Sequence, residues 1–128
     1  MAARVPLNKF RNRHINVSTG LSGVYTAPQE RAAILINAHA ANPTNNDISI
    51  TMMVSAVDIY SGSSGYTFFP IVSSFPIPAR DARSLVTGRV VLQGVDGASI
   101  TTPDILVVKA DSDGLVLSLG LLETKNTD

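Results

Sequence analysis

Apolar and polar residues alternate along much of this chain with a period of two, the spacing of a β-strand that buries one face. The clearest run has Ile48, Ile50, Met52, Val54 and Ala56 alternating with Ser49, Thr51, Met53, Ser55 and Val57. Before it, Arg31 to Ala41 reads as a strand with Ile34, Ile36, Ala38 and Ala40 on one face. Leu35, Asn37, His39 and Ala41 then fall on the other. The turn-forming stretch Asn42-Pro43-Thr44-Asn45-Asn46-Asp47 between these runs predicts a hairpin. Near the C-terminus Leu115, Leu117, Leu119 and Leu121 line one face of a final strand, opposite Val116, Ser118 and Gly120.

Shorter elements fill the intervals. Val24-Tyr25-Thr26 is β-prone and ends at Ala27-Pro28. Tyr66 to Phe75 is aromatic and β-branched, and Pro70 within it marks an edge strand or a bulge. Asp81 to Val86 has the length of one helical turn, and Gly88 to Gln93 and Asp104 to Ala110 read as strands. The last of these is expected to pair with the closing strand through Asp111-Ser112-Asp113-Gly114, a tight turn whose glycine takes positive φ. Seven to eight short strands with turns about every ten residues predict an all-β fold, an antiparallel β-sandwich of jelly-roll or Ig-like type.

The ends of the chain look different. Residues 1–14 show no clear period and carry Arg4, Lys9, Arg11 and Arg13 ahead of the first acid, Glu30. They read as an extended basic N-terminal arm, ordered only where something holds it. Residues 15–123 form the sandwich domain and 124–128 a polar tail, with fraying expected from Glu123 onward.

Composition narrows the function classes. Apolar residues make up 45%, an ordinary share, but charged residues only 16%, against about a quarter in typical domains. A surface so short of charge suits coverage by neighbouring subunits. Net charge is zero, but the basic start and the acidic end (Asp96, Asp104, Asp111, Asp113, Glu123 and Asp128) suit contact between copies. The imbalance is too small for a nucleic-acid partner. No segment approaches the roughly 20 apolar residues of a membrane span, so no membrane partner is expected either. There is no cysteine, which removes disulfides and thiolate metal sites.

A search for catalytic chemistry finds little. The two histidines, His14 and His39, lack zinc-ligand spacing and read as polar surface or interface residues. There is no Gly-x-Ser-x-Gly elbow and no P-loop. Asp111-Ser112-Asp113-Gly114 resembles the opening of a calcium loop, but the glutamate required at the twelfth position is replaced by Leu122. We therefore expect no enzyme, no cofactor and no metal. Pro78-Ala79-Arg80-Asp81-Ala82-Arg83, the densest charge cluster, reads either as a solvated turn or as the rim of an interface, where arginine is enriched.

Several segments resemble the small virion structural proteins of tailed bacteriophages. These are Val24-Tyr25-Thr26-Ala27-Pro28, the strand through Ala32-Ala33-Ile34-Leu35-Ile36, and Ile77-Pro78-Ala79-Arg80-Asp81-Ala82. Leu85-Val86-Thr87-Gly88-Arg89-Val90-Val91-Leu92 and the closing strand through Leu121-Leu122-Glu123 continue it. The resemblance spans roughly Val24 to Glu123. It implies a β-sandwich located in the virion, as capsid decoration, neck or tail component, with other virion proteins and copies of itself as partners. Interface residues are then expected in the arm (Arg4, Lys9, Phe10, Arg11, Arg13) and in the charge cluster (Arg80, Asp81, Arg83). The alternative is a carbohydrate- or ligand-binding β-sandwich module, which the absence of tryptophan disfavours.

Overall fold

The alternation read from the sequence is realised in two antiparallel sheets. The computed structural model describes residues 8–57, 66–86, 88–95 and 102–125. Among them are nine strands and no helix: β1 (Asn8–Asn16), β2 (Ser22–Thr26), β3 (Arg31–Ala41), β4 (Ile48–Val57), β5 (Tyr66–Ile77), β6 (Ala82–Ser84), β7 (Val90–Gln93), β8 (Ile105–Ala110) and β9 (Val116–Lys125). One sheet has the order β1-β9-β3, with β6 and β7 sharing the far edge of β3; the other has the order β2-β8-β4-β5.

The pairs β1·β9, β2·β8, β3·β7 with β3·β6, and β4·β5 nest inside one another. A single long antiparallel ribbon has thus been rolled up, so that β9 also reaches β3 and β8 also reaches β4. This is the jelly roll, one of the two sandwich types expected. The Leu85 N–H donates to the Ala38 carbonyl at 2.8 Å in the gap between β6 and β7, so the two act as one interrupted edge strand.

The core lies between the sheets. Leu115, Leu117, Leu119 and Leu121 on the β9 side face Ile48, Ile50 and Met52 of β4 and Leu106 and Val108 of β8, all of them buried. Each such side chain contributes about 2 kcal/mol by leaving water.

Both expected hairpins are absent. β3 and β4 lie in different sheets, as do β8 and β9. Alternation tells a strand which face is greasy but not which strand is its neighbour. Here the six residues from Asn42 to Asp47 cross the ~10 Å between layers instead of turning back within one. Gly114 at the second crossing has φ 121°, the positive value expected of it. The face assignment within β3 also changes midway. A bulge falls between Leu35 and Asn37, so Ala33 and Leu35 point inward before it and Ala38 and Ala40 after it. Ile34 and His39 therefore share the outer side, although the sequence pattern set them on opposite faces.

Three further expectations are corrected. The stretch expected as a helical turn contains β6, because Ala82–Ser84 pairs with His39–Ala41 far away in sequence. Residues 8–14, expected as part of an arm, pair along their whole length with β9; residues 1–7 lie outside the described residues. Glu123, expected in a fraying tail, is buried within β9. Pro70 behaves as expected: β5 is an edge strand with two register shifts against β4.

Candidate functional site

The expected interface residues separate into distinct places. Arg4 lies outside the described residues. In β1 the residues alternate: Lys9, Arg11 and Arg13 sit opposite the inward positions Glu123, Leu121 and Leu119 of β9, while Phe10 sits opposite the outward Leu122. The two arginines serve the fold. Arg11 Nε donates to Glu123 Oε1 at 3.2 Å, and the Tyr25 hydroxyl donates to Glu123 Oε2 at 2.6 Å. Arg13 Nε donates to the Val24 carbonyl. The open edge between β1 and β2 is thus laced by two polar links, one of them centred on a buried carboxylate.

Burial, then the hydrogen bond to Glu123 and its charge, hold the Tyr25 phenol well above its ordinary value of 10.0, against a smaller opposing pull from Arg11. In the unfolded chain this phenol ionises near that value. Its stabilising link is therefore complete below pH 10 and is lost as the pH rises above it. Tyr25→Phe is expected to cost about 1.5 kcal/mol at neutral pH, the scale of a hydrogen bond to a charged group. Urea midpoints of the two proteins should converge between pH 9 and about 11. A constant gap over that range would show that the link does not set the ionisation.

Arg80, Asp81 and Arg83 sit at the opposite edge of the same sheet, beside β6. The neighbours Arg80 and Asp81 take different partners. Asp81 Oδ2 contacts Arg83 Nη2 at 3.1 Å, while Arg80, at φ 60°, donates from Nη2 to Asn45 Oδ1 at 2.7 Å. The N–H of Ala82, donating to Asp81 Oδ1 at 2.7 Å, is the main cause of an Asp81 carboxyl held below its usual range; Arg83 adds to it. The cluster fastens the turn before β6 to the Asn42–Asp47 crossing. It does not meet the β1 residues.

Between these two edges lies a surface that residue-by-residue reading missed. Following the register across β1, β9, β3 and β7, Phe10, Leu122, Ile34 and Val91 form one outward row. Phe10 is 78% exposed, Val91 56%, and Ile36 in the bulge 39%. A second outward row runs His14, Ser118, His39, Ser84. Every other outward position on these strands is Asn, Gln, Thr, Ala, Val or Gly. The outer face of this sheet therefore has no Asp, Glu, Lys or Arg among its described strand residues. The signal was present in β1 as the alternation of Lys9, Arg11 and Arg13 with Phe10, Asn12 and His14. It is a period of charge rather than of hydropathy.

The histidine row allows a test for chemistry. His14 Nδ1 lies 2.9 Å from Ser118 Oγ, a nucleophile–base distance. An activated serine also needs a group that orients the base, and no carboxylate stands among the outward positions of the face. The calcium-like turn is likewise used by the fold: Asp111 Oδ1 accepts the Ser49 N–H at 2.9 Å, fastening the crossing to β4. No group of three His, Cys, Asp or Glu side chains gathers among the described residues. Asp104, which accepts the Gln93 N–H at 2.9 Å, is raised by burial against that hydrogen bond, and it holds β7 to the start of β8.

No protein-family model, no curated protein and no solved structure matches this chain.

Proposed function

We propose that this chain is a non-enzymatic structural protein of a tailed-phage virion, which associates with copies of itself and docks on other virion subunits as decoration, neck or tail component. The observation that carries the reading is the outer face of the five-stranded sheet, exposed and without a charged side chain among its described strand residues. An isolated soluble domain gains solubility from charge on such a face, whereas interface cores are depleted of charge and enriched in aromatics such as Phe10. The segments from Val24 to Glu123 that resemble phage virion proteins supply the setting, and the jelly roll is an architecture that capsid domains use. Fold alone implies no function.

Mass spectrometry of particles purified from cells that carry this sequence tests the reading. The chain is expected in the particle fraction at many copies per particle. Its absence from particles, with the protein recovered only from the particle-free fraction, would contradict it.

A further inference from the structure

We infer that the outer face of the β1-β9-β3-β6/β7 sheet packs against the same face of a second copy of this chain, about a two-fold axis parallel to the strands. The inference rests on the assembly reading above and names the surface and geometry through which copies associate.

Sheet extension is blocked first. β1 points Lys9, Arg11 and Arg13 toward the sandwich side of its edge. β5 carries Pro70, Pro76 and two register shifts. β2 has five residues and a shift at Gly23/Tyr25. The remaining edge is broken between β6 and β7. These are the devices by which sheets refuse a further strand. The faces remain.

The rows of the outer face complement themselves. A two-fold axis along the strands, between β9 and β3, reverses the strand order while keeping each row at its own height. Phe10 of one copy then meets Val91 of the other, and Leu122 meets Ile34. In the next row His14 meets Ser84 and Ser118 meets His39, each a hydroxyl against an imidazole. Asn8 meets Gln93. No like charges oppose one another among the described strand residues, because their outward positions include none of the four charged residue types. Aligned sheets pack this way, with a relative twist of about 30°.

The size also suits a dimer. Nine paired residues along β1 and β9, at ~3.4 Å each, by four strand positions at ~4.8 Å, give roughly 600 Å² in projection. Side-chain relief brings this toward the ~800 Å² per partner of a standard interface.

The chain has no cysteine, so site-directed cross-linking reads the geometry cleanly. Asn8→Cys and Gln93→Cys leave the apolar row intact. An equal mixture of the two full-length single variants, treated with a short bis-maleimide, is expected to yield a covalent dimer, while each variant alone yields little. In one copy positions 8 and 93 lie at opposite edges, ~14 Å apart, so two copies of either variant do not bring their own thiols together. Phe10→Asp should weaken dimerisation about tenfold or more with no change in the melting temperature of the monomer, compared at concentrations too low for either protein to dimerise, since its side chain is exposed. A dimer whose cross-links form equally in each single variant, or one indifferent to Phe10→Asp, would overturn this geometry. So would a chain that stays monomeric at high concentration. None of these results removes the chain from the particle, so the wider reading stands or falls on the particle measurement.

Discussion

Asn42→Ala is expected to lower the stability of this protein by about 3–4 kcal/mol, or roughly 10–15 °C in melting temperature. Asn42 is 1% exposed and directly follows β3, where the chain leaves one sheet for the other. Its carboxamide has partners on both sides. Nδ2 donates to the Asn46 carbonyl at 2.7 Å and to the Ile77 carbonyl at 3.0 Å, while Oδ1 accepts from the Thr44 N–H at 3.0 Å and the Thr44 hydroxyl at 2.6 Å. Ile77 ends β5 in the opposite sheet, so one side chain joins both layers and shapes the crossing. Alanine would leave the Ile77 carbonyl, whose bond to Asn42 is buried, short of this donor and would strip the Thr44 N–H and hydroxyl of their shared acceptor. Asn42→Asp should cost as much, because a carboxylate sets lone pairs against the two carbonyls it replaces as donor. Asn46→Ala, which removes a side chain from an exposed position, should cost little. Urea unfolding of the three variants separates these expectations, and a loss below about 1 kcal/mol for Asn42→Ala would refute the bridging role.

Gly94→Ala is expected to cost about 3 kcal/mol. A Cβ at this position would stand 1.7 Å from the Pro28 carbonyl oxygen and 2.7 Å from that of Arg31. Both are backbone, so neither can swing aside. The close approach is what allows the Gly94 N–H to reach the Arg31 carbonyl at 2.9 Å and the Glu30 N–H to reach the Val95 carbonyl at 2.7 Å. These bonds hold the end of β7 against the start of β3. Gly20→Ala is the matched control, since a Cβ there meets nothing within 4 Å. Near-equal thermal midpoints for the two variants would show that the turn relaxes freely.

The fold was legible where a strand reports its own face. Ile48 to Met53 and Leu115 to Leu121 have both faces as the pattern implies, but beyond Met53 the pattern fails: Ser55, read on the polar face, is buried, while Val54 and Ala56 are only half-buried. Pro70 likewise reported an edge. What failed was everything set by distant partners. The turns at Asn42–Asp47 and Asp111–Gly114 have the composition of hairpin turns, yet both are crossings, because the rolled ribbon brings β9 to β3 and β8 to β4. One extra residue at Ile36 reversed the outer and inner sides of β3 halfway along. Ala82–Ser84 is a strand only because β3 has a free edge there.

The interface expectation was partly legible for the same reason. Phe10 was identified, but among basic residues taken as one arm; β9 sorts that arm into an inward basic side and an outward neutral one. Arg11 is then tied to Glu123, and Arg13 to Val24. The companions of Phe10 (Leu122, Ile34 and Val91) come from three other strands. No local window contains them together.

The neutral outer sheet face, left bare in the single chain, is predicted to pack against its like in a second copy. Sedimentation equilibrium of the full-length protein, from low micromolar to high micromolar concentration, addresses it most directly. Wild type should shift from monomer to dimer across the range, and Phe10→Asp should do so only at about tenfold higher concentration or more, the two melting alike where both are monomeric. A wild-type chain that sediments as a monomer throughout would contradict it.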